Sequence, residues 1–300
     1  MKGGARVVWV IGEKGMLGTE VSLALEKAEI EHIGSDLDVD ITNGAALNAF
    51  AEGKAIKWMV NCAAYTAVDR AEDESELCRR LNVDGAAEVA KLAGRVGARL
   101  IHVSTDYVFD GNGRRPYTED DETNPTGVYG RTKRDGELEV LKNCKNSYIL
   151  RSSWLYGKYG NNFVHTMIKL MQKQDIISVV NDQQGSPTWA HDFAQLIIML
   201  IKKEHKSDGT LYGIYHFCNG GGVSRYDFAK EIYKQSRELG ILTKECTITP
   251  CATEGYPAKA RRPAYSCLDH TKIKTALNIK VSDWNVSLRT FLSIGNYNNI

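Results

Sequence analysis

Short, uninterrupted apolar runs alternate with longer stretches of helical periodicity through the first half of the chain. Residues 6–11 read Arg-Val-Val-Trp-Val-Ile, a β-branched run without polar alternation, the pattern of a strand buried on both faces of a parallel sheet. A loop with glycines at Gly12, Gly15 and Gly18 follows and runs straight into helical spacing over 19–27. Further short strands are predicted at 31–34, 58–61, 99–104 and 147–151. Between them, helical periodicity predicts helices over 45–53, 74–96 and 126–141, the second a single long amphipathic helix. Strands alternating with helices in this way predict an α/β protein built on a doubly wound parallel sheet.

After residue 152 the alternation loosens. Loop-rich segments at 157–162 and 181–189 separate helical stretches over 162–173, 192–203 and 224–239, and prolines gather at Pro187, Pro250, Pro257 and Pro263. The reading is a first domain over 1–156, with elements around 190–218 returning to its sheet, and a smaller C-terminal lobe over 157–300. No internal repeat or heptad pattern is present, which excludes solenoid and coiled-coil organisations.

Composition narrows the classes further. A chain of 300 residues with 43% hydrophobic and 25% charged residues and a net charge of +1 reads as a soluble globular protein. That balance gives no basis for a nucleic-acid partner. The opening is basic, but the apolar run behind it ends at Ile11, too short for a signal-peptide core, and no later stretch reads as a membrane span. Seven cysteines without Cys-x-x-Cys spacing read as reduced thiols of a cytoplasmic protein. Cys246 and Cys251 form a close pair without histidines at ligand spacing, so no metal site is read from the sequence.

The glycine loop carries the first chemical signal. A glycine-rich turn between a strand and a helix lets backbone N–H groups at the helix N-terminus receive a pyrophosphate. Gly12 suits the tight turn, Gly15 the approach of phosphates, and Gly18 the packing of helix on strand. With Met16 and Leu17 the loop predicts an NAD(P)-binding, Rossmann-like first domain. The plainer reading is a turn that needs glycine for geometry alone, and the flanking elements favour the cofactor. Asp36 ends the second strand, where a carboxylate accepts from ribose hydroxyls and disfavours a 2'-phosphate, which argues for NADH; Lys14 in the loop keeps NADPH open. Asp40 and Ile41 stand where an adenine edge could be read. Ala63, Ala64, Tyr65 and Thr66 follow the third strand, where small residues let backbone lie against a cofactor or simply let a helix pack closely.

Ligands of open α/β sheets bind outside the carboxyl ends of strands, which is where Ser104, Thr105 and Asp106 emerge. Farther on, Tyr129 and Lys133 are four residues apart on a predicted helix and share a face. At about 5 Å, with an effective dielectric near 20, Lys133 would bring the phenol roughly two units below its usual value of about 10. Tyr129 would then give a proton to a carbonyl oxygen held by Thr105 while a nicotinamide delivers hydride, so the expected reaction is carbonyl reduction. A Tyr-x-x-x-Lys alone is more often a surface tyrosine beside a surface lysine. The order of glycine loop, Ser-Thr-Asp and Tyr/Lys pair gives it meaning.

Longer segments carry a family resemblance. Ala63 to Glu72 (AAYTAVDRAE), Ser104 to Gly111 (STDYVFDG), Tyr129 to Lys133 (YGRTK), Arg151 to Tyr156 (RSSWLY), Gly160 to Phe163 (GNNF), Asn181 to Thr188 (NDQQGSPT) and Ala260 to Pro263 (ARRP) resemble the extended short-chain dehydrogenase/reductases. Within them they are most similar to the dTDP-4-dehydrorhamnose reductase family, over nearly the whole chain. The resemblance implies Thr105, Tyr129 and Lys133 as catalytic residues. It implies a cofactor on Gly15, Met16 and Leu17, near Asp36, on Asp40, Ile41, Ala64, Tyr65 and Thr66, and on Tyr129 and Lys133. A dTDP-sugar would lie beside Thr105, Asp106 and Trp154, reduced at its C4 ketone to dTDP-L-rhamnose by NADPH or NADH for cell-surface polysaccharide. Some relatives are homodimers that carry Mg2+ at the interface.

The residues themselves add to this. Arg261 and Arg262 are guanidinium candidates for a diphosphate, Trp154 could stack on a sugar or base, and Asn162 and Gln183 are loop amides suited to hydroxyl or base recognition. Sugar-nucleotide dehydratases of the same superfamily place a glutamate where this chain has Tyr107, so elimination is not expected. A 4-epimerase keeps the Tyr/Lys pair, as does a reductase of another nucleotide-diphosphate 6-deoxysugar. The regulatory β subunit of methionine adenosyltransferase, a non-catalytic binding protein, resembles the family as well.

Overall fold

The computed structural model describes residues 7–203, 211–255 and 258–295. Arg6, Pro257 and residues 204–210, within the span expected to return to the first sheet, lie outside the described residues.

The chain begins with β1 (Val7–Ile11), α1 (Met16–Lys27), β2 (His32–Ser35), α2 (Gly44–Ala51) and β3 (Ile56–Asn61). A short α3 (Val68–Ala71) precedes α4 (Ser75–Arg79) and α5 (Ala86–Val96), followed by β4 (Arg99–Thr105), α6 (Val128–Asn143) and β5 (Ser147–Ser152). Beyond these come β6 (Leu155–Tyr156), α7 (Phe163–Lys173), β7 (Ile176–Val180), β8 (Gln184–Gly185), β9 (Thr188–Trp189), α8 (Ala190–Lys202) and β10 (Gly213–His216). The last elements are β11 (Val223–Ser224), α9 (Arg225–Glu238), β12 (Thr247–Cys251), α10 (Thr271–Leu277) and α11 (Trp284–Ile294).

The main sheet has six strands in the order β10-β5-β4-β3-β1-β2, every pair parallel. β1 shows why its sequence is apolar at every position. Val8 and Val10 pack with Leu17 and Val21 of α1 and Phe193 and Ile197 of α8. Trp9 and Ile11 point the other way, to Leu47 of α2 and Val89 of α5. Alternate residues of one strand feed two cores. β10 extends the sheet beside β5 and α8 lies in the core beneath α1, so late segments complete the first layer system.

A third core gathers Tyr156, Ile168, Phe228, Ile232, Leu288 and Phe291 from α7, α9, α11 and the segment around β6. The parallel pair β7–β12 covers it.

The expected helix over 74–96 is continuous in path but not in winding. Residues Arg80–Gly85 form a π turn between α4 and α5. Asn82 in that turn is pinned from two sides: its side chain accepts from the Tyr65 amide at 2.8 Å and donates to the Thr132 hydroxyl at 3.1 Å. A Cβ on Gly136 of α6 would come within 2.1 Å of the Asn82 carbonyl, so glycine lets α6 press on the wide turn. One extra residue in a turn barely changes an apolar periodicity, and the sequence pattern therefore reads as a plain α-helix.

Candidate active site

The sheet order reverses between β1 and β3, and a cleft opens at the carboxyl ends of the strands there, as in other open α/β sheets. It holds about 920 Å³ and runs from the glycine loop to Trp154 and Arg225 of the second lobe.

At the loop, Gly12 has φ +78°, a backbone that disfavours any side chain, and a Cβ there would lie 2.8 Å from the Ala63 amide. A Cβ on Gly18 would stand 2.0 Å from the Gly12 carbonyl oxygen. These two glycines let α1 start directly on β1. Gly15 is the N-cap of α1 and no side chain caps the helix, so the first-turn amides stay free for an external acceptor. Gly12, Gly15, Met16 and Leu17 line the cleft, while Gly18 is buried behind them. The cradle fits a pyrophosphate.

Asp36, Asp40, Ile41, Ala63, Ala64 and Thr66 also line the cleft. The Asp36 carboxylate braces the loop, accepting from the Lys14 and Leu37 amides at 3.0 Å each. Asp40 accepts from the amide and hydroxyl of Thr42, which lowers its pKa. Tyr65 turns away, its hydroxyl donating to Glu74 at 2.6 Å, and only its immediate neighbours reach the cleft.

Thr105 ends β4, and its hydroxyl accepts from the Tyr107 amide at 3.2 Å and donates to Asp106 at 3.0 Å. The Thr105 hydroxyl lies near the Tyr129 phenol and favours its charged form, against the larger effect of burial. Lys133, one turn later on α6, donates from Nζ to the Val103 carbonyl at 2.7 Å. All three line the cleft. Behind them Glu137 holds Arg151 in a buried bidentate pair at 2.9 and 2.7 Å and accepts from the Ser104 hydroxyl. This network ties α6 to the ends of β4 and β5.

The electrostatics correct one expectation. Burial raises the Tyr129 phenol well above its usual value rather than letting Lys133 lower it, and burial lowers Lys133 to about 8. Removing water from both groups disfavours the phenolate and the ammonium alike. Tyr129 therefore rests as a protonated donor. Asp106 is also raised by burial, against hydrogen bonds from Ser266, Ser153 and Thr105 that favour its charge. Cys62 lines the cleft, but burial takes its thiol up to about 12, so it is no nucleophile at neutral pH.

On the far side Trp154 has φ +46°, rare for a bulky residue, at a cost on the order of 1 kcal/mol. Its indole occupies space that a Cβ on Gly185 would fill. Asn162, Gln183 and Arg262 do not line the cleft. Asn162 caps α7, accepting from the His165 amide at 3.1 Å and donating to the Gly157 carbonyl at 2.8 Å. The Gln183 amide donates to the Thr253 hydroxyl at 3.1 Å, and Arg262 pairs with Asp69 through both terminal nitrogens at 3.2 and 2.7 Å. Their polar atoms serve loops and caps. Among the described residues no group of three or more His, Cys, Asp or Glu could hold a metal ion, and no helix is long and apolar enough to cross a membrane.

The sequence reading missed Arg225, Arg80 and Leu37, which also face the cleft. Arg225 opens α9 behind the Ser224 cap, where an arginine carries no local signal.

Known proteins match this arrangement. A family model described as the RmlD substrate binding domain covers residues 6–296. The dTDP-4-dehydrorhamnose reductase of Aggregatibacter actinomycetemcomitans is 39% identical over 282 residues, 93% of this chain and 96% of that protein. Among solved structures, a dTDP-4-dehydrorhamnose reductase from Clostridium acetobutylicum superposes with a TM-score of 0.88 at 38% identity, over 96% of this chain and 99% of the other. One from Bacillus anthracis in complex with NADP gives 0.89 at 36% identity, over 95% and 98% of the two chains. The likeness extends over nearly the whole chain, which belongs to the RmlD substrate binding domain family, that of the dTDP-4-dehydrorhamnose reductases.

Proposed function

We propose that this protein is an NAD(P)H-dependent oxidoreductase that reduces the C4 ketone of dTDP-4-dehydrorhamnose to dTDP-L-rhamnose, a precursor of cell-surface polysaccharide. The observation that carries the reading is the convergence of Thr105, Tyr129 and Lys133 on one cleft that begins at a pyrophosphate cradle. The similarity to reductases that include an NADP complex supports it.

When bound, the nicotinamide cofactor supplies a hydride. The chain's own residues do the rest. The first-turn amides of α1 hold the pyrophosphate, and Asp36, Asp40, Ile41, Ala63, Ala64 and Thr66 flank the nucleoside. Thr105 receives the substrate C4 oxygen. As charge develops on that oxygen, Tyr129 gives it the phenolic proton, so that the ketone becomes a hydroxyl. Lys133, one turn along α6 and held on the Val103 carbonyl, would supply the positive charge that favours the phenolate until a proton returns from solvent. Tyr107 replaces the carboxylate base that an elimination needs, and Trp154 borders the sugar.

Nothing in this scheme calls for Mg2+. Action in the cytoplasm fits the free thiols and the soluble nucleotide substrate, and a homodimer fits the resemblance.

The test is the stoichiometry of NADPH oxidation with dTDP-4-dehydrorhamnose, with the product identified by NMR. One cofactor consumed per dTDP-L-rhamnose formed is expected. Product formed without net cofactor consumption would make the protein an epimerase, and no turnover with any dTDP-ketosugar would favour a non-catalytic subunit. Tyr129→Phe should lose about 10²- to 10⁴-fold in kcat while still binding cofactor.

A further inference from the structure

Arg225 is a cation seated on two aromatic rings. Its guanidinium carbon lies 3.6 Å from the centroid of Trp154 and 4.9 Å from that of Phe163. Among the described residues its side chain makes no hydrogen bond or ion pair, although it lines the cleft. Burial lowers its pKa to about 10, which leaves it charged at neutral pH. A guanidinium partly withdrawn from water, with N–H groups that no described residue accepts, is suited to meet an incoming anion.

The neighbouring charges do not meet it. Asp106 and Tyr107 are within electrostatic reach, but the Asp106 oxygens already accept from Thr105 at 3.0 Å and Ser153 at 2.9 Å. Arg262, also within reach, adds like charge, and its own partner is Asp69. The Arg225 fork is thus left without a protein acceptor among the described residues, on the substrate side of the cleft, with the Trp154 indole against it. Trp154 is itself immobilised by its left-handed backbone and its fit over Gly185.

We propose that Arg225 binds the diphosphate of the substrate, its N–H fork meeting oxygens of both phosphoryl groups while Trp154 holds the guanidinium flat. The inference rests on the nucleotide-sugar reading above and assigns that reading's diphosphate to a residue of α9. It replaces Arg262, whose fork is already matched by a carboxylate. A guanidinium suits this work because two parallel N–H groups match two phosphate oxygens.

The experiment is calorimetric titration of the NADP-saturated protein with dTDP and with thymidine, for wild type, Arg225→Met and Arg225→Lys. Wild type should bind dTDP more tightly than thymidine. Arg225→Met should lose about 10- to 100-fold for dTDP and less than about two-fold for thymidine, the size of a lost charged hydrogen-bonded contact. Arg225→Lys should fall between, since a point charge keeps attraction but not the fork. Unchanged NADPH affinity in both variants shows that they are folded. A wild type that prefers dTDP no more than thymidine overturns the proposal. So do equal losses for both ligands, which would make Arg225 a packing partner of Trp154. The function reading fails separately, if wild type binds dTDP but oxidises no NADPH with the ketosugar.

Discussion

Tyr129 and Lys133 stand one turn apart on α6, and the same burial moves their proton affinities in opposite directions. The phenol is held protonated and the lysine drawn down to about 8. The pair is therefore a proton donor beside a cation that neutral pH keeps charged by a narrow margin. Its charge is present below about 8 and lost above it.

From this follows a one-sided pH profile. Activity should stay level from about pH 6 to 7 and fall with a midpoint near 8 as Lys133 loses its proton, while the acid side shows no limb from Tyr129. Initial rates in saturating NADPH measure it. A profile level to pH 10 would remove Lys133 from any charge-dependent role.

His216 should make the fold sensitive to acid. Its Nδ1–H donates to the Tyr117 carbonyl at 3.0 Å and Nε2 faces Arg151, so burial and a neighbouring cation hold its pKa near 3 against 6.5 for the free side chain. Between those values the unfolded chain binds a proton that the native one refuses, and stability falls with pH at about 1.4 kcal/mol per unit. Going from pH 6.5 to 5 should cost roughly 2 kcal/mol from this residue. Urea unfolding at the two pH values, in wild type and His216→Asn, reads the difference. An unaltered pH dependence in the variant would exclude His216 as its source.

Asn162→Ala tests a cap against a ligand contact. Loss of the bond to the His165 amide should lower stability by about 1 kcal/mol with KM unchanged. A tenfold rise in KM with the same melting temperature would return Asn162 to substrate recognition.

Several features were legible in the linear chain because they are local. β1 is apolar at every position since both its faces are covered, the glycine loop must turn a strand into a helix, and Tyr129 and Lys133 share a face by helical spacing alone. Five of the six parallel strands follow from the alternation of periods, and β10 lies in the late span expected to return to that sheet. The π turn at Arg80–Gly85 was not legible, because its cause is Asn82 held by Tyr65 and Thr132, which are 17 and 50 residues away.

The chemistry divides the same way. Residue type and order singled out Thr105, Tyr129 and Lys133, which folding brings to one cleft. Their protonation depends on how much water the folded chain removes, and no spacing encodes that. Asn162, Gln183 and Arg262 had the right chemistry for a ligand, yet in the fold Asn162 accepts from the His165 amide as a cap, Gln183 donates to Thr253 and Arg262 donates to Asp69. Arg225 had no signal at all until Trp154 came within 3.6 Å of it from 71 positions earlier. Bonds between neighbours are written in the sequence, whereas desolvation and the satisfaction of polar groups are set by residues that meet only when the lobes have closed.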